Sequence, residues 1–140
     1  MRKSAERRKA EIVTVVLALA DRIGPDRVTT GAVATAIGVT QAALFRHFPT
    51  KAALWQAVAE HVAEGLAAAW EDALSRGDGP IVRLRALIAA QFAQIAATPA
   101  LPMLLFSPEL NVTNAELRAT FHGLLTAFRG LLAREVGAGQ

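Results

Sequence analysis

Apolar residues recur along this chain every three or four positions and seldom every second one. From Ser4 to Ile23, the residues Ile12, Val16, Leu19, Ala20 and Ile23 share one helical face. Gly24-Pro25 stops that helix, glycine as the cap and proline as the breaker. Val33, Ala34 and Ile37 form a shorter stripe, with the hydroxyls of Thr29 and Thr30 placed to cap it. Gly38 closes it, where a left-handed residue carries no steric cost for glycine. Val39 points inward, Thr40 caps again, and Gln41 to His47 make barely two turns before Pro49. Thr50 then opens a long helix to Ser75 or Arg76, with Leu54, Trp55, Val58, Val62, Leu66 and Trp70 on its apolar side. Such a helix is about 37 Å long.

Gly77-Asp78-Gly79-Pro80 breaks the chain next, with Asp78 or Gly79 as cap and Pro80 in the first turn. The helix from Ile81 to Ala97 carries Leu84, Leu87, Ile88, Gln91, Phe92 and Ile95, and Thr98-Pro99 ends it. Pro102 to Phe106 reads as a short apolar helix before Pro108. Thr113-Asn114-Ala115-Glu116 has capping-box form and opens a last helix to about Val136. Its expected buried side is Leu117, Phe121, Leu124, Leu125, Phe128 and Leu132. Gly123 and Gly130, seven apart, fit either a close helix crossing or plain tolerance of glycine.

Composition agrees with an all-α chain. Apolar residues are 53% of the 140, Ala is the commonest type, Tyr is absent, and no segment reads as a strand. Without cysteine there is no disulfide framework and no thiolate metal site. The charged N-terminus is no secretory signal and no apolar run is long enough to span a membrane, so a soluble, cytoplasmic protein without a membrane partner is expected. Charge divides the chain. Residues 1–51 hold nine Lys/Arg against four acids, net +5, whereas residues 52–140 are net −2, which accounts for the overall +3. A basic head of residues 1–51 and a mildly acidic helical body of residues 52–140 point to a polyanion met by the head alone.

The head also holds the one constellation with specific chemistry. Two short helices joined by a turn containing Gly38 have the form of a helix-turn-helix, whose second helix enters the DNA major groove. An ordinary helical hairpin has the same outline, and the flanking basic residues favour the DNA reading. At the start of the second helix, Gln41 carries an amide that can pair twice with adenine. Ala42 and Ala43 are small enough to admit the helix closely, and Arg46 can reach guanine or a phosphate. Thr29, Thr30, Phe45, His47 and Lys51 are placed at the groove edge. The run Leu44-Phe45-Arg46-His47-Phe48-Pro49-Thr50-Lys51, with Thr29, Val33-Ala34 and Gly38-Val39 ahead of it, resembles the DNA-binding domain of the TetR family of bacterial repressors. The resemblance implies base contacts from Gln41, Ala42 and Arg46, and backbone contacts from Thr30, Phe45, His47 and Lys51. It covers the first third of the chain closely and the rest by helix layout only. Phe45 stands where the family often has Tyr, which removes a phenol-to-phosphate hydrogen bond. Gly31 stands where some members place a longer base-reading residue, so the first short helix is expected to add little specificity.

The body is rich in large apolar groups. Trp70, Gln91, Phe92, Met103, Phe106, Phe121, His122 and Leu125 are candidate ligand-binding residues, with Gln94 and Arg118 as further polar anchors. The same composition makes a plain helical core. The resemblance implies a small, mostly apolar effector among these helices. Glu60, His61 and Glu64 cluster on the long helix, where a solvated face explains them better than a metal does. There is no HExxH pair, phosphate loop or nucleophile elbow, so neither an enzyme nor a cofactor is expected. The resemblance further implies a homodimeric repressor on palindromic operator DNA. TetR-like chains usually continue with two long dimerisation helices where this one reaches Glu135 to Gln140, and the bundle is expected to lack them.

Overall fold

The computed structural model describes residues 4–76, 78–102 and 114–138, and all regular structure among them is helical. In chain order the elements are α1 (Ala5–Ile23), a 3₁₀ turn (Pro25–Arg27), α2 (Thr30–Ile37), α3 (Gln41–His47), α4 (Lys51–Ser75), α5 (Pro80–Ala97) and α6 (Ala115–Ala138).

Each early boundary follows from a local hydrogen bond. Ser4, Thr29, Thr40 and Thr50 are N-caps whose hydroxyls accept from the backbone N–H of Arg7, Ala32, Ala43 and Ala53, at 3.0–3.2 Å. Gly24 ends α1 at φ 86°, and Gly38 ends α2 in the left-handed region at φ 85°, ψ 32°. The N–H groups of both Gly38 and Val39 return to Ala34 O, which ties the turn to the helix it closes. Thr30 is not part of the cap: it is the first helical residue, and its hydroxyl is directed elsewhere. At α6 the cap is Asn114, whose Oδ1 accepts from Leu117 N–H at 3.0 Å. Thr113, expected to open a capping box, lies outside the described residues.

α1 packs on α2 and α4, and α2 on α3. Ile12, Val16, Val28, Val33, Leu44, Leu54, Trp55 and Val58 are at most 2% exposed and form the centre of the head. The remaining length of α4 supports the body, where α4, α5 and α6 pack on one another. Polar contacts join the elements. Asp21 of α1 accepts from Ala100 N–H, Asn114 Nδ2 donates to Ala52 O, and Gln56 Nε2 donates to Thr120 Oγ1. Trp70 is buried on α4, its indole N–H donating to Gln91 Oε1 at 2.9 Å and its ring 5.1 Å from that of Phe128.

The expected stripes were too wide in the body. Leu87 is fully buried, but Ile88 is 43% and Phe92 68% exposed, each one residue round the helix from an inward position. On α6, Leu117 and Phe121 are buried whereas Leu125 is 52% exposed. A helix with neighbours on one side buries a single row, so the adjoining apolar positions face outward. The inward row of α6 ends in a charge. Glu135, 7% exposed, accepts from Arg83 Nε of α5 at 2.9 Å. A Cβ placed at Gly123 or Gly130 meets nothing within 4 Å, so neither serves a close crossing among the described residues.

Candidate nucleic-acid interface

α3 is only seven residues long, and its two faces are distinct. Leu44, 1% exposed, holds it to the core, and Phe48 seals its end with an N–H donated to Leu44 O. Gln41, Ala42, Phe45 and Arg46 are exposed on the other side. Their spacing of one, four and five positions keeps them on one patch of helix surface. Ala43 and His47 are half-buried at its margin. Thr29 and Lys51, on the elements flanking this hairpin, are exposed, and Thr30 is half-buried.

Two arrangements were not legible in the sequence. A cleft of about 340 Å³ runs between α1 and α3, floored by Ile12, Ile37, Val39 and Leu44 and edged by Arg8, Arg46 and His47. Arg8 thus adds to the positive edge of α3, although it also pairs with Glu11 at 3.5 Å. Its place four residues before buried Ile12 is the periodic signal that marks it. In addition, the Gln41 side chain folds back on α2, where Thr30 Oγ1 donates to its Oε1 at 3.4 Å. Lys9 lies over the Phe48 ring, with Nζ 6.0 Å from its centre.

The body candidates that are described differ in exposure. Trp70 and Phe121 are buried and Gln91 is half-buried, but Phe92, His122 and Leu125 are exposed. Met103 and Phe106 lie outside the described residues. A separate open groove of about 370 Å³ between α4 and α5 is lined mainly by alanines, with Asp72, Arg76 and Gln94. No group of three His, Cys, Asp or Glu side chains suited to a metal occurs among the described residues, and none of their helices is long and apolar enough to cross a membrane.

Residues 12–58, from the middle of α1 to the first turns of α4, match the family described as bacterial regulatory proteins, tetR family. The head of the chain is thus similar to the TetR-family domain. Over 116 residues the chain is 28% identical to the nucleoid occlusion factor SlmA of Vibrio vulnificus, covering 83% of this chain and 59% of that protein. The chain thus spans less than two thirds of that relative's length. In fold it is similar to the ketosteroid transcriptional regulator KstR2 of Mycobacterium tuberculosis (TM-score 0.79, 18% identity, 99% of this chain and 69% of the other). It is also similar to the superantigen PfiT (TM-score 0.77, 21% identity, 96% and 72%). One helical scaffold therefore carries proteins with very different descriptions, so fold alone does not assign an activity. The TetR-family match falls on the head, where the helix-turn-helix lies.

Proposed function

We propose that this TetR-like chain binds double-stranded operator DNA through α3, with Gln41, Ala42, Ala43 and Arg46 at base edges. Thr29, Thr30, Phe45, His47 and Lys51 border the phosphates. The observation that carries the reading is the exposed patch on a short helix anchored by Leu44 and presented beyond the Gly38 turn. A homodimer placing two heads in successive major grooves, about 34 Å apart, fits a near-palindromic site. The outward apolar residues of α5 and α6 support self-association. Repression relieved by a small apolar effector is the regulatory mode we assign, with the effector seated near Trp70, Gln91 and Phe121. Such an effector acts only through a preference for one body shape over another. A constitutive DNA-binding protein is the second reading. It is favoured by the contacts of Trp70 with Gln91 and Phe128, which already occupy that side chain. The name of the SlmA relatives supports work at the nucleoid in either case.

Selection of bound duplexes from a random pool, followed by titration at several salt concentrations, tests the DNA assignment. Binding should weaken steeply with salt, because phosphate contacts release counterions. Gln41→Ala should relax preference at one base pair by about 1–3 kcal/mol, while Lys51→Ala should weaken every sequence alike. Equal losses on all sequences for Gln41→Ala remove that residue from base reading, and salt-insensitive binding removes the whole proposal. Operator release by an apolar metabolite separates the effector-responsive form from the constitutive one.

A further inference from the structure

Gly31 has ordinary helical backbone, since positive φ among the described glycines occurs only at Gly24, Gly38 and Gly79. Conformational freedom therefore gives no reason for a glycine inside α2, where it weakens the helix. Space does. A Cβ at Gly31 would stand 3.3 Å from Gln41 Nε2 and 3.8 Å from Gln41 Cδ. The amide of the leading base-reading candidate thus lies in the gap left by the missing side chain. The Thr30 hydroxyl holds the other end of that amide, donating to Oε1 at 3.4 Å. The neighbouring Thr29 hydroxyl serves the helix cap instead, accepting from Ala32 N–H.

We propose that Gly31 and Thr30 are specificity-determining positioning residues, which set the base preference of the head by fixing the Gln41 amide without touching a base. This rests on Gln41 reading bases, as proposed above. A free glutamine has three side-chain torsions to order on binding, and restraint from α2 removes part of that entropy loss beforehand. The restrained amide keeps a lone pair on Oε1 and N–H donors on Nε2, the pair of functions that adenine requires. α2 thus takes part in recognition through its smallest residue, whereas its lack of a long side chain suggested that it adds little.

The test uses the full chain and the duplex recovered from a random pool, with all single-base variants of that duplex titrated at fixed salt. The variants are Gly31→Ala, Thr30→Val, Gln41→Ala and the double variant Gly31→Ala/Gln41→Ala, with thermal melting as a control. Gly31→Ala should melt no lower than the parent, because the added methyl displaces only the end of a flexible side chain. It should reduce discrimination about fivefold or more at the base pair that Gln41→Ala relaxes, since one good bidentate contact carries that preference. Thr30→Val should act at the same base pair with a smaller effect. The salt dependence should stay as in the parent. In the Gln41→Ala background, Gly31→Ala should change discrimination no further. If Gln41→Ala alters the preference and Gly31→Ala does not, or weakens all sequences equally, the positioning role is overturned and the reading of Gln41 survives. If Gln41→Ala leaves every preference intact, both fall.

Discussion

In the head, the seven-residue α3 is anchored by Leu44 at 1% exposure. In the body, the eighteen-residue α5 buries only Leu87 outright and leaves Ile81, Val82, Ile88 and Phe92 between 43% and 68% exposed. The two regions are made of similar residues, yet the head encloses most of its large apolar side chains, with Ile23 and Phe45 at 37% and 38% exposure as its outward ones. The difference follows from arrangement. α1 and the start of α4 enclose the α2–α3 hairpin, whereas α4, α5 and α6 support one another along single rows. A closed head holds the exposed patch of α3 on a well-packed base. The outward apolar rows of the body leave surface for association.

The sharpest way to break this contrast is to make comparable truncations in the two regions. Leu44→Ala should cost about 2–5 kcal/mol, since it removes a fully buried side chain and leaves a cavity. Denaturant midpoints measure this, and a loss under 1 kcal/mol would mean that the head is looser than its burial implies. Glu135→Ala comes next. It leaves the Arg83 guanidinium without its partner, but Arg83 is 28% exposed and water can reach it. A loss of about 1–3 kcal/mol is expected, smaller than for a fully buried pair. Thermal melting at low and high salt reads it, and no change at all would show that α5 and α6 are held by apolar contacts alone. The smallest effect belongs to Phe92→Ser. Because the ring is already in solvent, stability should stay within about 0.5 kcal/mol. Self-association measured by sedimentation should weaken if α5 forms part of a contact between copies. A large stability loss would show that Phe92 is packed, and would erase the contrast between the regions.

Legibility follows the same division. The helix ends of the head could be read almost to the residue, because Thr29, Gly38, Thr40 and Thr50 act on their immediate neighbours. So could the inward positions of α4, where all six expected residues are buried. On α5 and α6 the apolar residues occupy more than one row, and periodicity cannot rank adjoining rows of similar composition. Phe92 and Leu125 therefore fit an inward row by period, yet they face outward. Glu135 stood outside the expected apolar stripe, and only the approach of Arg83 explains its burial.

Among the DNA-facing candidates, residue type and spacing on a short helix were enough to place Gln41, Ala42 and Arg46 on one surface. Capping, glycine turns and helical period are local, so the chain alone determined where its helices begin and end and which face of α3 is polar. The placing of Gly31 beneath the Gln41 amide, of Arg8 beside Arg46, and of Glu135 against Arg83 was decided by tertiary structure. Each of these pairs joins residues from different helices, and their contact depends on how those helices cross. No pattern within either helix contains that angle.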